Sequence, residues 1–256
     1  MLAVLYQLFD PKFTPISLEE MDAVKLMNRT DSKYVFEPSK LPVILDALCK
    51  EYKILEIEGS RISRYESLYF DTVNLELYHK HQTGKSNRHK IRSRNYVVSK
   101  INFLEVKLKN NKKRTLKKRI KIDSIVNNLS QEKVQSDFIS HSAGYNANLL
   151  KPQFWVNYNR ITFVSLERKE RCTIDVGLEF VKSDIHKDFN FLIVLELKQE
   201  KASISPISLL MKEMGIRSGG LSKYCLGVIS LNPLIKHNNF KTKLMSIDKL
   251  RTNEHI

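Results

Sequence analysis

The chain has 256 residues, with 43 Lys and Arg against 28 Asp and Glu, a formal charge of +15 at pH 7. Such an excess calls for an anionic partner: nucleic acid, an anionic membrane, nucleotides or polyphosphate. With 42% hydrophobic residues, 8 Gly and 7 Pro, the composition excludes a disordered or low-complexity chain. No apolar run approaches the ~20 residues of a spanning helix. The apolar start, Met1 to Phe9, is short and lacks the basic flank of a signal peptide. Cys49, Cys172 and Cys225 have no CxxC spacing and read as free thiols in a reducing compartment. A soluble cytoplasmic protein is expected.

In chain order, Ser17-Leu18-Glu19-Glu20 is a capping box that opens a short helix reaching about residue 27. Residues 29–36 alternate and predict a strand. A second helix is predicted over 41–52, with Ser39 as N-cap and Pro42 in the first turn. β signals then dominate, over 52–57, 64–71, 89–98, 103–108, 114–120, 155–165, 172–180 and 191–198. Asp71-Thr72 and Thr83-Gly84-Lys85 read as turns, and Asn110 to Lys113 as a hairpin connection. A helix interrupts the strands at 130–143. Another starts at Ser205-Pro206 and ends near 214 with Gly215 as its cap, and the last covers 222–230. From Asn232 the chain is polar and is expected to fray. This order predicts one domain over 1–231, a tail over 232–256, and an α+β barrel of mostly antiparallel strands.

Within these strands cations recur at every second residue. Glu105, Lys107 and Lys109 share one face while Leu104, Val106 and Leu108 share the other. Glu196 and Lys198 oppose Leu195 and Leu197. Tyr158, Arg160 and Thr162 share a face, as do Arg171, Thr173 and Asp175, and as do Arg92 and Arg94. If helices cover the apolar faces, the charged faces turn inward around a solvated tunnel. The reverse orientation is an ordinary sheet with a charged solvent face, and periodicity alone leaves both open. Carboxylates interleaved with cations on most strands favour the tunnel. A divalent metal needs carboxylate oxygens, and a phosphate chain needs both metal and guanidinium.

Eight short motifs occur in order: Arg29-x-Asp31-x-Lys33-Tyr34, Tyr69-Phe70-Asp71-Thr72, Lys90-x-Arg92-x-Arg94, Leu104-Glu105-Val106-Lys107, Tyr158-Asn159-Arg160, Arg171-x-Thr173-x-Asp175, Leu195-Glu196-Leu197-Lys198 and Ser222-Lys223-Tyr224. The series resembles the catalytic domain of the vacuolar transporter chaperone (VTC) polyphosphate polymerases and their bacterial relatives, within the triphosphate tunnel superfamily. The resemblance runs from about Leu18 to Ile229. It implies an eight-stranded antiparallel tunnel with flanking helices. The implied activity is transfer of the ATP γ-phosphate to inorganic polyphosphate with Mn²⁺ or Mg²⁺. By motif, Arg29, Lys33, Arg92, Arg94, Lys107, Arg160 and Arg171 would hold phosphates. Tyr158 and Ser222 would hydrogen-bond them, Lys223 would stand beside them, and Glu196 would bind the metal. Lys118 is the choice for a further phosphate-binding lysine. Lys33, Arg92, Arg94, Lys107, Arg160 and Glu196 make up the catalytic set.

The chain departs from the family pattern at Asp31, where Glu is common, and at Gly219-Gly220-Leu221, where a second Lys often precedes the Ser-Lys pair. It reads as a stand-alone form, without a fused phosphoinositide-sensing domain or membrane anchor, and a membrane-protein partner stays open. The alternatives are a tripolyphosphatase or nucleoside triphosphatase using the same tunnel, and a non-catalytic polyphosphate or nucleotide-binding module. The basic run from Lys107 to Lys121 lacks the aromatic interleaving of a nucleic-acid site, so nucleic acid is not the expected partner. His89 reads as structural or as a rim residue, and Asp175 as the partner of an arginine.

Overall fold

The computed structural model describes residues 12–22, 30–112, 114–200 and 204–252. The strands are β1 (Pro15–Ile16), β2 (Thr30–Phe36), β3 (Lys53–Leu55), β4 (Ser63–Thr72), β5 (Arg88–Tyr96), β6 (Ile101–Lys109), β7 (Thr115–Ile122), β8 (Leu150–Ser165), β9 (Glu170–Lys182), β10 (Ile185–Phe189) and β11 (Ile193–Gln199). The helices are α1 (Leu18–Asp22), α2 (Leu41–Leu48), α3 (Glu76–Gln82), α4 (Lys133–Ala143), α5 (Pro206–Glu213), α6 (Lys223–Leu231) and α7 (Lys241–Thr252).

Eight strands make one antiparallel path in the order β2-β11-β9-β8-β4-β5-β6-β7, with β1, β3 and β10 attached at its side. This is the expected eight-stranded antiparallel tunnel with flanking helices. Among the described residues the two end strands, β2 and β7, are not joined by hydrogen bonds. The open edge at β7 carries Lys117, Lys118, Arg119 and Lys121, a row of charge that discourages pairing with another sheet.

Helices cover the apolar faces from outside. Ile161, Phe163, Cys172, Ile174, Leu195 and Leu197 pack with Ile44, Leu48, Ile207 and Met211 of α2 and α5. Phe70, Ile91, Leu104 and Val106 pack with Ile139 and Ala143 of α4. Burying a side chain of this size is worth ~1.5–3 kcal/mol. Turning either half of the sheet over would forfeit that many times over, so the charged faces point inward.

The interior itself is apolar at one end. Phe154, Val156, Leu178, Phe180 and Val194 pack there against Tyr224, Cys225 and Val228 of α6. The inward set on β9 continues from Asp175 to Leu178 because the ladder bulges between Asn157 and Asn159, opposite Gly177 at φ +62°. Helix α6 enters this closely because Gly227 has no side chain. A Cβ there would lie 2.3 Å from Phe154 Cε2 and 2.7 Å from Phe180 Cδ1.

Several sequence expectations need correction. The capping box forms, with Ser17 N–H to Glu20 Oε2 at 2.8 Å and Glu20 N–H to Ser17 Oγ at 3.2 Å. The rest of that predicted helix, like Arg29, lies outside the described residues. Ser39 caps nothing, since Pro38–Lys40 form a 3₁₀ turn and Lys40 takes the cap position; the helix also ends early, at Leu48. Asp71-Thr72 closes β4 rather than forming a turn. Helix α3 and strand β10 were not predicted. The tail expected to fray instead forms α7, whose Ile247 is buried while Leu244 and Leu250 pack on the α6 cluster.

Candidate functional site

Register sets the site. Across β5, β6 and β7 the residues in direct pairing are Lys90, Lys107 and Lys117 in one row, and Arg92, Glu105 and Arg119 in the next. The second row is tied together by its carboxylate. Glu105 accepts from Arg92 Nε at 2.8 Å and also pairs with Lys117 from the first row. Arg92 Nη1 donates to Tyr69 Oη at 2.9 Å. Burial opposes ionisation of Glu105, but Arg92, Arg94 and Lys117 outweigh it and hold the carboxyl well below the usual carboxylate range.

A second group tied by one carboxylate lies on β8 and β9. Asp175 accepts from Arg160 Nε at 2.6 Å and Nη2 at 2.8 Å, the bidentate geometry of a strong charge-assisted pair. Lys223 of α6 also reaches Asp175. Burial opposes the charge on Asp175 here too, yet the two cations keep its carboxyl well below the usual range. Tyr158 is enclosed by these cations: Lys223 Nζ is 4.4 Å from its ring centre, and the Arg160 and Arg94 guanidiniums are at 5.4 and 5.8 Å. Arg94 also sits over Tyr65 and Tyr96, at 5.2 and 5.8 Å, and donates to Ser67 Oγ at 2.9 Å.

Lys90 and Lys107 of the first row behave differently. Lys33, Lys90, Lys107, Glu196 and Ser222 line an open pocket of about 330 Å³ together with Asp31, His81, Arg88, Lys109 and Lys243. Six cations among its lining residues face two carboxylates, Asp31 and Glu196. Lys33 Nζ stands 3.5 Å and Lys198 Nζ 3.9 Å from the Glu196 carboxylate. Burial works against this carboxylate, but Lys198, Lys33, Arg160 and Lys107 bring it down to about 2. The surrounding protein, with Lys90 and Lys33 close by, pushes the Lys107 ammonium down to about 7. Water reaches Lys107 and screens part of that effect. Burial, then Lys33 and Arg92, lower Lys90 as well. His81 is held neutral, down to about 3 by burial and the neighbouring cations, and donates Nε2–H to the His89 carbonyl at 3.1 Å. The pocket therefore carries an uncompensated positive charge, and an anion would relieve it.

Of the residues expected from sequence, Lys33, Lys107, Glu196 and Ser222 meet in this pocket. Arg92, Arg160 and Lys223 are inside the tunnel but engaged by Glu105 and Asp175. Arg94 and Tyr158 stand among the tyrosines. Arg171 is on the same inward face as Thr173 and Asp175, opposite Lys198 in register. Ser222 caps α6 by accepting from Cys225 N–H at 3.2 Å, which leaves its hydroxyl proton to donate. Lys118 is a correction. Its strand partner is Val106 of the outward apolar face, whereas Lys117 is the residue of β7 that reaches Glu105. One step of strand parity separates the two choices. Sequence reasoning missed Lys90, although it shares parity with Arg92 and Arg94. It also missed Lys243, which the i, i+4, i+7 spacing of Phe240, Leu244 and Ile247 could have placed on a helix facing the core.

The donors suit a metal that arrives with its ligand. Among the described residues no three His, Cys, Asp or Glu side chains come together as a cage. Glu196 offers one ionised carboxylate beside the cations of the pocket, a hard oxygen donor of the kind a divalent cation takes.

Fold and interior together define a triphosphate tunnel protein. The VTC domain profile matches residues 28–232, and the chain belongs to that family. A search of curated proteins finds no match. Among solved structures, a protein from Hippeastrum assigned as an adenylyl cyclase and described as having a dominant triphosphatase activity is 15% identical. That alignment covers 78% of this chain and 96% of the other, with a TM-score of 0.50, a likeness of fold alone. A protein from Pyrococcus horikoshii is 13% identical over 80% of this chain and 99% of its own, with a TM-score of 0.47. A Bacillus halodurans protein assigned as an adenylate cyclase is 14% identical over 77% and 96%, also at 0.47.

Proposed function

We propose that this chain is a metal-dependent polyphosphate polymerase that transfers the γ-phosphate of ATP to a growing inorganic polyphosphate chain. The observation that carries this reading is Lys90 and Lys107, abreast in hydrogen-bonded register and lining one pocket with Lys33 and Glu196, while Lys117, next in the row, pairs with Glu105. Like charges placed directly opposite one another destabilise a sheet by a few tenths to ~1 kcal/mol per pair. A linear phosphate chain laid along the row reverses the sign of that term, because its non-bridging oxyanions can each be shared by two ammonium groups.

In this reading Lys33, Lys90 and Lys107 hold phosphate oxygens and the Ser222 hydroxyl donates to one. Arg92, Arg94, Arg160, Arg171, Lys223 and Tyr158 form the deeper wall that the chain passes. Arg29 stays in the set on its motif alone. Glu196 would hold a divalent cation, Mn²⁺ or Mg²⁺, which would supply charge neutralisation at the transferring group. A terminal phosphate oxygen of the acceptor bonds to the γ-phosphorus as the bond from that phosphorus to the β–γ bridging oxygen breaks, and ADP leaves with the electron pair. The attacking oxygen is already an anion, so no general base is required. The protein's work is alignment and charge. A cytoplasmic location belongs to the same proposal, since ATP is the donor and the three cysteines are unpaired thiols. No helix of the described residues is long and apolar enough to cross a membrane.

Purified protein incubated with ATP and Mn²⁺, with products resolved on a gel, tests this. Long phosphate chains are expected. Free phosphate without chains makes the protein a triphosphatase, and retention of polyphosphate with no turnover makes it a binding module. Glu196→Gln is expected to abolish metal-dependent transfer while leaving polyphosphate binding intact.

A further inference from the structure

The family match stops at residue 232, yet the pocket does not. Past that point the chain turns back over the tunnel. The Lys236 carbonyl accepts from Tyr78 Oη at 3.0 Å, and Asn239 Nδ2 donates to the Gln82 carbonyl at 2.8 Å, tying the segment to α3. Phe240 packs on Tyr78 with ring centres 6.2 Å apart. At the far end of α7 the Arg251 guanidinium lies 4.7 Å from the Phe191 ring centre. Ile247 is buried between these ties. Position 243 is one helical turn before it, on the same side of the helix, and Lys243 lines the pocket with Lys33, Lys107 and Ser222.

Two features give this lysine a purpose. Lys243 Nζ lies beside residue 220, 3.5 Å from where a Cβ there would stand, which puts it next to the segment that leads into Ser222. Among the described residues it has no ion pair or hydrogen bond, unlike Arg92, Arg160 and Lys223 deeper in the tunnel. An ammonium placed by a docked helix beside other lysines, and in no ion pair, is a cation waiting for an anion.

We propose that α7 is a wall of the tunnel and that Lys243 is a phosphate-binding residue, taking a terminal phosphate group of a linear phosphate chain beside Ser222. This rests on the reading of the pocket as a phosphate site and adds to it a ligand from a segment outside the family match.

The test uses inorganic tripolyphosphate and the full chain, with affinity measured by titration calorimetry. Loss of one charge-assisted contact predicts that Lys243→Ala weakens binding about tenfold. Lys243→Glu should weaken it further and Lys243→Arg should keep most of it. Lys241→Ala, at the exposed start of α7, should bind as the wild type does. If the wild type binds and Lys243→Ala and Lys243→Glu bind equally well, Lys243 is no ligand and the inference falls. Equal losses at Lys241 and Lys243 would reduce the effect to net charge and also overturn it. If the wild type itself fails to bind tripolyphosphate, the phosphate reading of the pocket fails first, and this inference with it.

Discussion

Tyr224 on α6 donates its hydroxyl to Asp71 at the end of β4, joining two short sequence motifs that are 153 residues apart. Asp71 is buried and also accepts from the backbone N–H groups of Thr72 at 2.7 Å, and of Leu77 and Tyr78 at 2.9 Å each. One carboxylate thus fixes the start of α3 and the depth of α6. It thereby sets where Ser222 meets the pocket and Lys223 meets Asp175.

Tyr224→Phe leaves that arrangement one donor short in a buried place. A loss of about 1–3 kcal/mol in denaturant unfolding is expected. Tripolyphosphate affinity should fall with it, because α6 is then less firmly held. Unchanged stability would mean that the bond is not made in solution.

Gly227→Ala puts a methyl group into Phe154 and Phe180. Overpacking of this kind destabilises by about 1–3 kcal/mol. Phe154→Leu in the same chain should return part of the loss, and thermal melting of the two variants would show it.

Asp175→Asn removes the one carboxylate shared by Arg160 and Lys223. Breaking such a buried group is expected to destabilise by about 3–5 kcal/mol. Tripolyphosphate should raise the melting temperature of this variant more than that of the wild type, since phosphate oxygens can stand in for the lost carboxylate.

The pH dependence of binding follows from Lys107, whose ammonium lies near 7 in the ligand-free pocket. A bound phosphate favours the charged form and raises that value. Affinity is therefore greatest below about pH 7 and declines as pH rises through it. Lys107→Arg stays charged throughout, so its binding between about pH 6 and 8 should vary less than that of the wild type, leaving only the titration of the ligand.

Lys117→Ala and Lys118→Ala distinguish the two faces of β7. The first removes a partner of Glu105 and a member of the lysine row, so tripolyphosphate binding should weaken by about tenfold. The second changes an outward side chain and should leave binding as it was. The opposite result would reverse the assigned face.

Much of this protein is written locally. The alternation of Glu105, Lys107 and Lys109 against Leu104, Val106 and Leu108 is a property of neighbouring residues. It determines by itself that a strand with one charged face exists. The same holds for the capping box at Ser17 and the cap at Ser222, whose partners are three residues away. Helix α3 escaped notice because its N-terminus is held by Asp71, several residues upstream, and its cap position is Leu75 in the left-handed region. Which way the charged faces point, which cations meet carboxylates, and whether Lys117 or Lys118 looks inward all depend on register between distant strands. Lys243 belongs with these, since its place depends on how α7 docks. Only the packing of α2, α4 and α5 on the apolar faces, and the pairing of each strand with its neighbour, could turn a pattern of alternating charge into a pocket in which six cations face two carboxylates.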